Sequence, residues 1–424
     1  MKEQEFCNWA PPGVMKEQFT EANYRPSRAD GRFERSLGFV MDYLRRMRPK
    51  LGFEQVSCAE EFGPWREKVK AKLRELLRMR EELVVEFKLL SEEPRDGYNL
   101  CRYEFYPEPG LVIPILVLVP DCARQPGAKV PAVICSPGSA AGLNSLAGEP
   151  DRCFNRYRKR NKQAWFYAQA GMVGVAIENP ATAFNSEPEI EYGQVQTRFF
   201  SLLAMTGRNY QGFVTEQRLM VVEFLKRLPF VDAKRIAVSG LSLGCGGVLY
   251  AALMSDDIAA AVYNDFVCSA LIRTISTTDT ATGPTLASAR MASNEWFDVQ
   301  PDLMAALAPK PLLLDEGGPW KGHLDKIVQA YGFSGHPENL QITYYPKYAD
   351  PSSRIHDHED LREVRGLTPG QYLEYANVDA SQHSFHSEVA VPWLMRQFYG
   401  HDDMSPKLRA AIEEAVAEKC WKPK

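Results

Sequence analysis

No long apolar run interrupts this 424-residue sequence, and nothing in it approaches the roughly 18–20 consecutive apolar residues that cross a bilayer. No membrane partner is therefore expected. A surplus of positive charge is also missing: 50 Lys and Arg against 54 Asp and Glu leave a net charge of −4. Without a basic field there is nothing to attract nucleic acid. The start, Met1-Lys2-Glu3-Gln4-Glu5, lacks the charged-then-apolar pattern of a signal peptide. The nine cysteines (Cys7, Cys58, Cys101, Cys122, Cys135, Cys153, Cys245, Cys268, Cys420) are odd in number, and no pair has C-x-x-C spacing. Neither a zinc site nor a disulfide framework is indicated. The thiols read as reduced, in a cytoplasmic protein. There is no G-x-G-x-x-G, no metal-ligand cluster and no internal repeat, so neither a cofactor nor a metal is expected.

What is present is a globular composition, 45% hydrophobic and 25% charged. Residues 1–32 are polar and turn-rich and read as an extended arm. Residues 33–49 suit an amphipathic helix, with Phe33, Leu37, Val40, Tyr43 and Leu44 near helical spacing. A second helix is expected from about 61 to 83, striped by Trp65, Val69, Leu73, Leu76 and Leu77. Residues 1–83 thus form an N-terminal arm and helical cap, packed on the main domain. Association into a homo-oligomer through these helices is the alternative. The cluster Arg156, Arg158, Lys159, Arg160 and Lys162 reads as a solvated helix face.

The texture changes in residues 84–424, the expected main domain. Val84–Leu89, Cys101–Tyr106 and Val112–Val119 are β-prone runs separated by turn chemistry at Glu92–Gly97 and Pro107–Gly110. Apolar strands follow at Pro131–Cys135, Met172–Ile177, Arg235–Ser239, Ala259–Asn264, Pro311–Leu314 and Leu340–Tyr345. Helical stretches at 214–227, 245–254 and 324–331 lie between them. Alternation of this kind predicts an α/β fold with a mostly parallel central sheet and helices on both faces. Two insertions, near 181–213 and 346–378, follow such strands, where binding segments gather.

The most informative string is Gly240-Leu241-Ser242-Leu243-Gly244. It follows a predicted strand and opens a predicted helix. A strand-to-helix turn this tight strains the serine backbone and lifts its hydroxyl above the sheet. Ser242 is therefore the candidate nucleophile. The Leu243 N–H, at the start of the next helix, is the candidate first oxyanion donor. The Ser139 N–H, in the loop Ser136–Gly142 after Pro131–Cys135, is the candidate second.

The chain resembles the acetyl xylan esterase-like and dienelactone hydrolase-related serine esterases of the α/β-hydrolase fold. The resemblance rests on Asp96-Gly97-Tyr98 through Pro120, Val231-Asp232 with Arg235-Ile236, Ala308–Leu314 and Val389–Leu394, and spans about residues 60–400. It implies ester hydrolysis through an acyl-enzyme. Two departures stand out: the usual His-Gly-x-Gly loop is Pro137-Gly138-Ser139-Ala140, and the nucleophile is Ser where dienelactone hydrolases use Cys.

In this fold the acid and then the histidine follow the serine. His383, in a His-x-Phe pattern before the closing helix Val389–Tyr399, is the first candidate base and His386 the second. His356 and His358 fall in the insertion, and His323, His336 and His401 read as surface residues. For the acid, the usual place after Leu312–Leu314 holds Trp320. Asp265, ending the preceding strand, is therefore ranked first, Glu316 second and Asp325 third. A helix N-cap is the alternative role for Asp265. Arg208 and Tyr210, among the aromatics of the first insertion, are candidate substrate contacts. The function expected is serine-dependent cleavage of a small polar ester such as an acylated sugar. A peptidase or amidase, or a non-catalytic binding protein on the same fold, are the alternatives.

Overall fold

The structure is a computed structural model that describes residues 36–139, 141–150, 157–183, 194–267, 269, 272, 276, 295–318 and 320–419. The arm at 1–32 lies outside them, as do Phe184, Asn185 and Tyr192 of the first insertion. The chain divides into residues 1–47 and 48–424. In the first unit, the helix Ser36–Arg46 leaves Phe39, Val40 and Tyr43 exposed.

The second unit is built on nine strands: β1 Phe87–Arg95, β2 Tyr98–Glu108, β3 Leu111–Pro120, β4 Val130–Ser136, β5 Val173–Ile177, β6 Val231–Leu241, β7 Ile258–Asn264, β8 Leu312–Asp315 and β9 Leu340–Thr343. Their order across the sheet is β1-β2-β3-β5-β4-β6-β7-β8-β9. The first three strands and β5 pair antiparallel, and β5-β4-β6-β7-β8-β9 run parallel. Every residue of β4, β5 and β8 is buried. These are apolar runs without alternation, as expected of strands covered on both faces. The α/β-hydrolase architecture is thus present. One difference concerns Glu92–Gly97, read as a turn. β1 continues through Arg95 with an irregularity between Leu89 and Ser91, and the reversal waits for Gly97.

One face of the sheet is covered by the helices Ala59–Leu77, Tyr210–Arg227 and Gly244–Met254. The other is covered by Gln163–Gln169, Ser387–Tyr399 and Pro406–Val416. In Ala59–Leu77 the buried stripe is Phe62, Trp65, Val69, Leu73 and Leu77. This helix stops earlier than its periodicity suggested, at Arg78 in the left-handed region. The helix Tyr210–Arg227 starts at Asn209, whose side chain accepts from the Gly212 N–H at 2.8 Å. The second insertion folds on a small core of its own around Tyr345, Tyr348, Leu361 and Tyr372.

Register sets the site. Leu241 pairs with Asn264, and Asn264 pairs with Asp315. The next residue of each strand is Ser242, Asp265 and Glu316, so three chemically active side chains leave the sheet together at its carboxyl end.

Candidate active site

Ser242 sits on a turn that only this glycine pattern permits. Its φ is 52°, a strained value for a residue with a side chain. A Cβ on Gly240 would lie 2.7 Å from a Val248 methyl, and one on Gly244 would lie 2.5 Å from the Ser136 carbonyl oxygen. Both are closer than atoms can pack, so the serine is flanked by two positions where no side chain fits. The turn is pinned by the Ser242 N–H donating to the Asn264 carbonyl at 3.1 Å. The helix Gly244–Met254 begins immediately after, with Leu243 as its N-cap residue. N–H groups at such a start have no acceptor within the helix.

His383 reaches the same end of the sheet from the segment before the helix Ser387–Tyr399. Its Nδ1 lies 2.9 and 3.2 Å from the two carboxylate oxygens of Glu316, which is fully buried. The Tyr345 hydroxyl is 3.5 Å from the same nitrogen. The His383 side chain is 29% exposed, which leaves part of the ring open to a substrate. Burial is the largest single influence and disfavours its protonation, but the charge and hydrogen bond of Glu316 together with the Asp265 charge outweigh it and push the pKa up to about 9.

Asp265, ranked first for the acid, also stands close. One ligand atom from each of Asp265, Glu316 and His383 lies within 4.8 Å of the others. Asp265 Oδ1 additionally accepts from the Phe266 N–H at 3.0 Å. The geometric partner of His383 Nδ1 is nonetheless Glu316. Glu316 follows β8 directly, with φ 111°. Four residues further on, Trp320 packs edge-on against His323. Asp325 pairs with Lys321 on an exposed helix face.

His386 is engaged elsewhere. Its Nδ1 is 3.1 Å from Asp315 Oδ2, and its Nε2 is 3.2 Å from the Gln382 carbonyl oxygen. Consecutive carboxylates at the end of β8 thus serve two histidines three residues apart. Asn264, which the sequence reading passed over, joins these parts. Its amide nitrogen donates to Glu316 Oε1 at 3.0 Å and to the Ser384 carbonyl at 3.1 Å, and its Oδ1 accepts from the His386 N–H at 2.8 Å. No motif announces it; an asparagine closing an apolar strand was the available signal.

The loop after β4 passes beside the serine. A methyl group on Gly138 would sit 3.6 Å from the Ser242 Cβ, so Ser139 follows a residue in contact range of the nucleophile. Arg218 braces this loop from within the fold. It is 1% exposed. Its guanidinium donates to Ser136 Oγ at 3.2 and 3.3 Å, to the Glu178 carbonyl at 3.1 Å and to Asn179 Oδ1 at 3.0 Å. Asn179 in turn donates to the Pro137 carbonyl at 2.7 Å. Burial lowers the Arg218 pKa to about 10, which still leaves it charged at neutral pH.

Arg208 and Tyr210 lie where the helix Tyr210–Arg227 begins. The Arg208 guanidinium bonds Glu108 at 2.8 and 2.9 Å and Glu216 at 2.8 Å, and it covers the Phe213 ring. Tyr210 is buried in an aromatic cluster with Phe200 and Phe213, against which Leu243 packs. Two surface expectations change. Arg160 is buried and donates to the Ala415 carbonyl and to Ser384 Oγ, tying the helix Pro406–Val416 to the His383 segment. His323 lies on the inward face of the helix Lys321–Phe333 and is buried, not on the surface. His356 stacks on Tyr375 and bonds Glu359 at 2.7 Å. Among the described residues, no helix is long and apolar enough to cross a membrane.

Residues 18–396 match the model of the Abhydrolase family. A protein of Bacteroides fragilis, described as a putative acetyl xylan esterase, is 32% identical over 89% of this chain and 99% of its own, with a TM-score of 0.77. A glucuronoyl esterase of Solibacter usitatus is 14% identical over 66% of this chain and 82% of its own; its TM-score of 0.44 is too low to argue from. No curated protein matches the chain. With the family model spanning most of its length and the elbow, histidine and carboxylates gathered at one end of the sheet, the chain belongs to the Abhydrolase family of α/β-hydrolases.

Proposed function

We propose that this chain is a serine-dependent hydrolase of small carboxylic esters, with Ser242 as nucleophile, His383 as base and Glu316 as acid. The observation that carries the reading is Ser242 held at positive φ in a G-x-S-x-G turn, at the sheet end where His383 meets a buried carboxylate. A buried carboxylate, Glu316, on His383 Nδ1 speaks against the non-catalytic alternative.

The chemistry runs as follows. The His383 Nε2 takes the hydroxyl proton as Ser242 Oγ bonds the ester carbonyl carbon. The resulting oxyanion is held by the Leu243 N–H and by an N–H of the Gly138–Ser139 loop. The C–O bond to the alcohol then breaks, and the alcohol leaves with the proton from His383. Water, deprotonated by His383, releases the acid from the acyl-serine by the same route in reverse. Glu316 holds the His383 Nδ1–H, which fixes the tautomer and stabilises the imidazolium. Asp265 contributes negative charge nearby and is the alternative acid.

The name of the Bacteroides fragilis relative favours acetylated sugars among small polar esters. Arg208 is committed to its ion pairs with Glu108 and Glu216, and Tyr210 to the aromatic cluster against which Leu243 packs. The free thiols of Cys58, Cys101, Cys122, Cys135 and Cys245 suit a reducing, cytoplasmic setting. The exposed Phe39, Val40 and Tyr43 suit self-association through the N-terminal helix, which sedimentation of a chain with all three changed to serine would test.

Labelling by a fluorophosphonate probe, lost in Ser242→Ala, tests the nucleophile. A panel of acetyl, feruloyl and methyl esters set against the matching amides then tests the substrate class. Amides turned over as fast as esters would overturn the esterase reading.

A further inference from the structure

The second histidine at this end of the sheet is as fully engaged as His383. His386 lies between two acceptors. Nε2 faces the Gln382 carbonyl at 3.2 Å, and a carbonyl oxygen can only accept, so that nitrogen carries a proton. Nδ1 faces Asp315 Oδ2 at 3.1 Å. The other Asp315 oxygen already accepts from the Thr343 hydroxyl. Both ring nitrogens therefore donate, and the ring bears a positive charge.

We propose that His386 is a permanently charged imidazolium, paired with Asp315, that positions Glu316 and restrains the basicity of His383. It is a positioning residue acting through Glu316, whose Oε1 lies 3.9 Å from His386 Nε2. The proposal rests on the Ser242–His383–Glu316 reading for its effect on rate, but not for the charge on the ring.

The surroundings make the role specific. The groups facing the two histidines are Asp315 and Glu316 from the end of β8, Asp265 from the end of β7, Tyr345 after β9, and Glu388 on the helix that His386 itself begins. Among these, the negative groups crowd a site that also needs a base. The two carboxylates beside His383, Glu316 and Asp265, both favour its protonated form. A fixed cation among them offsets one of those charges. Burial opposes charge on His386, but Asp315 and then Glu316 outweigh it and push its pKa up to about 10. On His383 the His386 charge acts against that of Glu316. His386 also donates its backbone N–H to Asn264 Oδ1 at 2.8 Å, so its ring and backbone both converge on groups that touch Glu316.

The test has two independent arms. In the first, the full chain is labelled with 15N-histidine, and the His386 ring signals are identified by their loss in His386→Gln. Proton–nitrogen correlations at pH 8 should show both ring nitrogens protonated. A neutral tautomer at that pH overturns the proposal whatever the enzyme does. In the second, the pH dependence of fluorophosphonate labelling and of 4-nitrophenyl acetate cleavage is compared across variants. His386→Gln removes the cation and leaves Asp315 unpaired, and should move the acid limb up by about one pH unit. The double variant Asp315→Asn/His386→Gln removes both charges and should recover at least half of that displacement. A lower plateau with an unmoved limb in His386→Gln would mean packing alone, and would overturn the positioning role. Cleavage that survives Ser242→Ala would bring down the triad reading and with it the rate arm, while the ring-protonation arm is read separately.

Discussion

The Asn264 amide nitrogen lies 3.0 Å from Glu316 Oε1, and the same residue's carbonyl holds the Ser242 N–H. One buried residue at the end of β7 thus ties the nucleophile turn, through its backbone, to the carboxylate of the histidine, through its side chain. Asn264→Ala would strand Glu316 Oε1, the Ser384 carbonyl and the His386 N–H in a buried place. We expect a stability loss of about 1–3 kcal/mol and turnover reduced by roughly 10–100-fold. Asn264→Asp should be worse for activity, because a carboxylate then faces Glu316. Urea unfolding and steady-state kinetics of the pair check this, and a fully active Asn264→Asp would remove Asn264 from the site.

Ser242→Ala should keep the fold and lose at least about three orders of magnitude in kcat, since only the acyl-bearing oxygen is removed. His383→Ala should match it, and the double variant should be no worse, because the two act as one unit. Retention of more than about a tenth of the activity in either would redirect the search for the nucleophile or base.

The two carboxylates can be separated by a paired substitution. Glu316→Gln should reduce turnover by roughly two to four orders of magnitude. Asp265→Asn should cost about tenfold or less, because Glu316 still holds the His383 Nδ1–H. The reverse order in kcat would hand the acid's role to Asp265.

The pH profile follows from the sign of the His383 shift. The base works only when neutral, so activity falls as acidification protonates it. Burial pulls its pKa down, but Glu316 together with Asp265 outweighs burial and raises it to about 9. The acid limb of kcat/KM should therefore lie above the ordinary imidazole value of about 6.5, with the rate still climbing through neutral pH. Glu316→Gln should carry that limb downward in whatever activity remains. A wild-type midpoint below about 6.5 would contradict the His383–Glu316 geometry.

Arg218 gives a test of the loop beside the serine. Arg218→Met leaves Ser136 Oγ, Asn179 Oδ1 and the Glu178 carbonyl without their shared donor. If that loop supplies an oxyanion donor, kcat should fall by about tenfold or more while KM changes little. An equal fall in kcat and rise in KM would instead mark Arg218 as shaping the substrate pocket.

Ser242, Leu243 and His383 were legible as candidates because each belongs to a short string with local physics: glycines where no Cβ fits, a helix start, a histidine just before a closing helix. The central parallel strands were legible because unbroken apolar runs such as Val173–Ile177 are suited to burial on both faces, whereas the mostly exposed β1 was legible only at its start. Glu316 could be named but was ranked second, behind Asp265. Its claim depends on a partner 67 positions away. His323 and Arg160 misled because their polarity is local while their burial is not.

By itself, the sequence determined which segments become strands and helices, and that a serine would be presented on a strained turn between two of them. Tertiary structure alone decided which carboxylate meets which histidine. Parallel register sets Leu241 beside Asn264 and Asn264 beside Asp315, so the residues that follow emerge as neighbours although more than 70 positions of chain separate the first from the last. Hydrogen bonds among side chains that far apart are selected by the geometry of the assembled sheet end, and no periodicity or spacing in the chain encodes them.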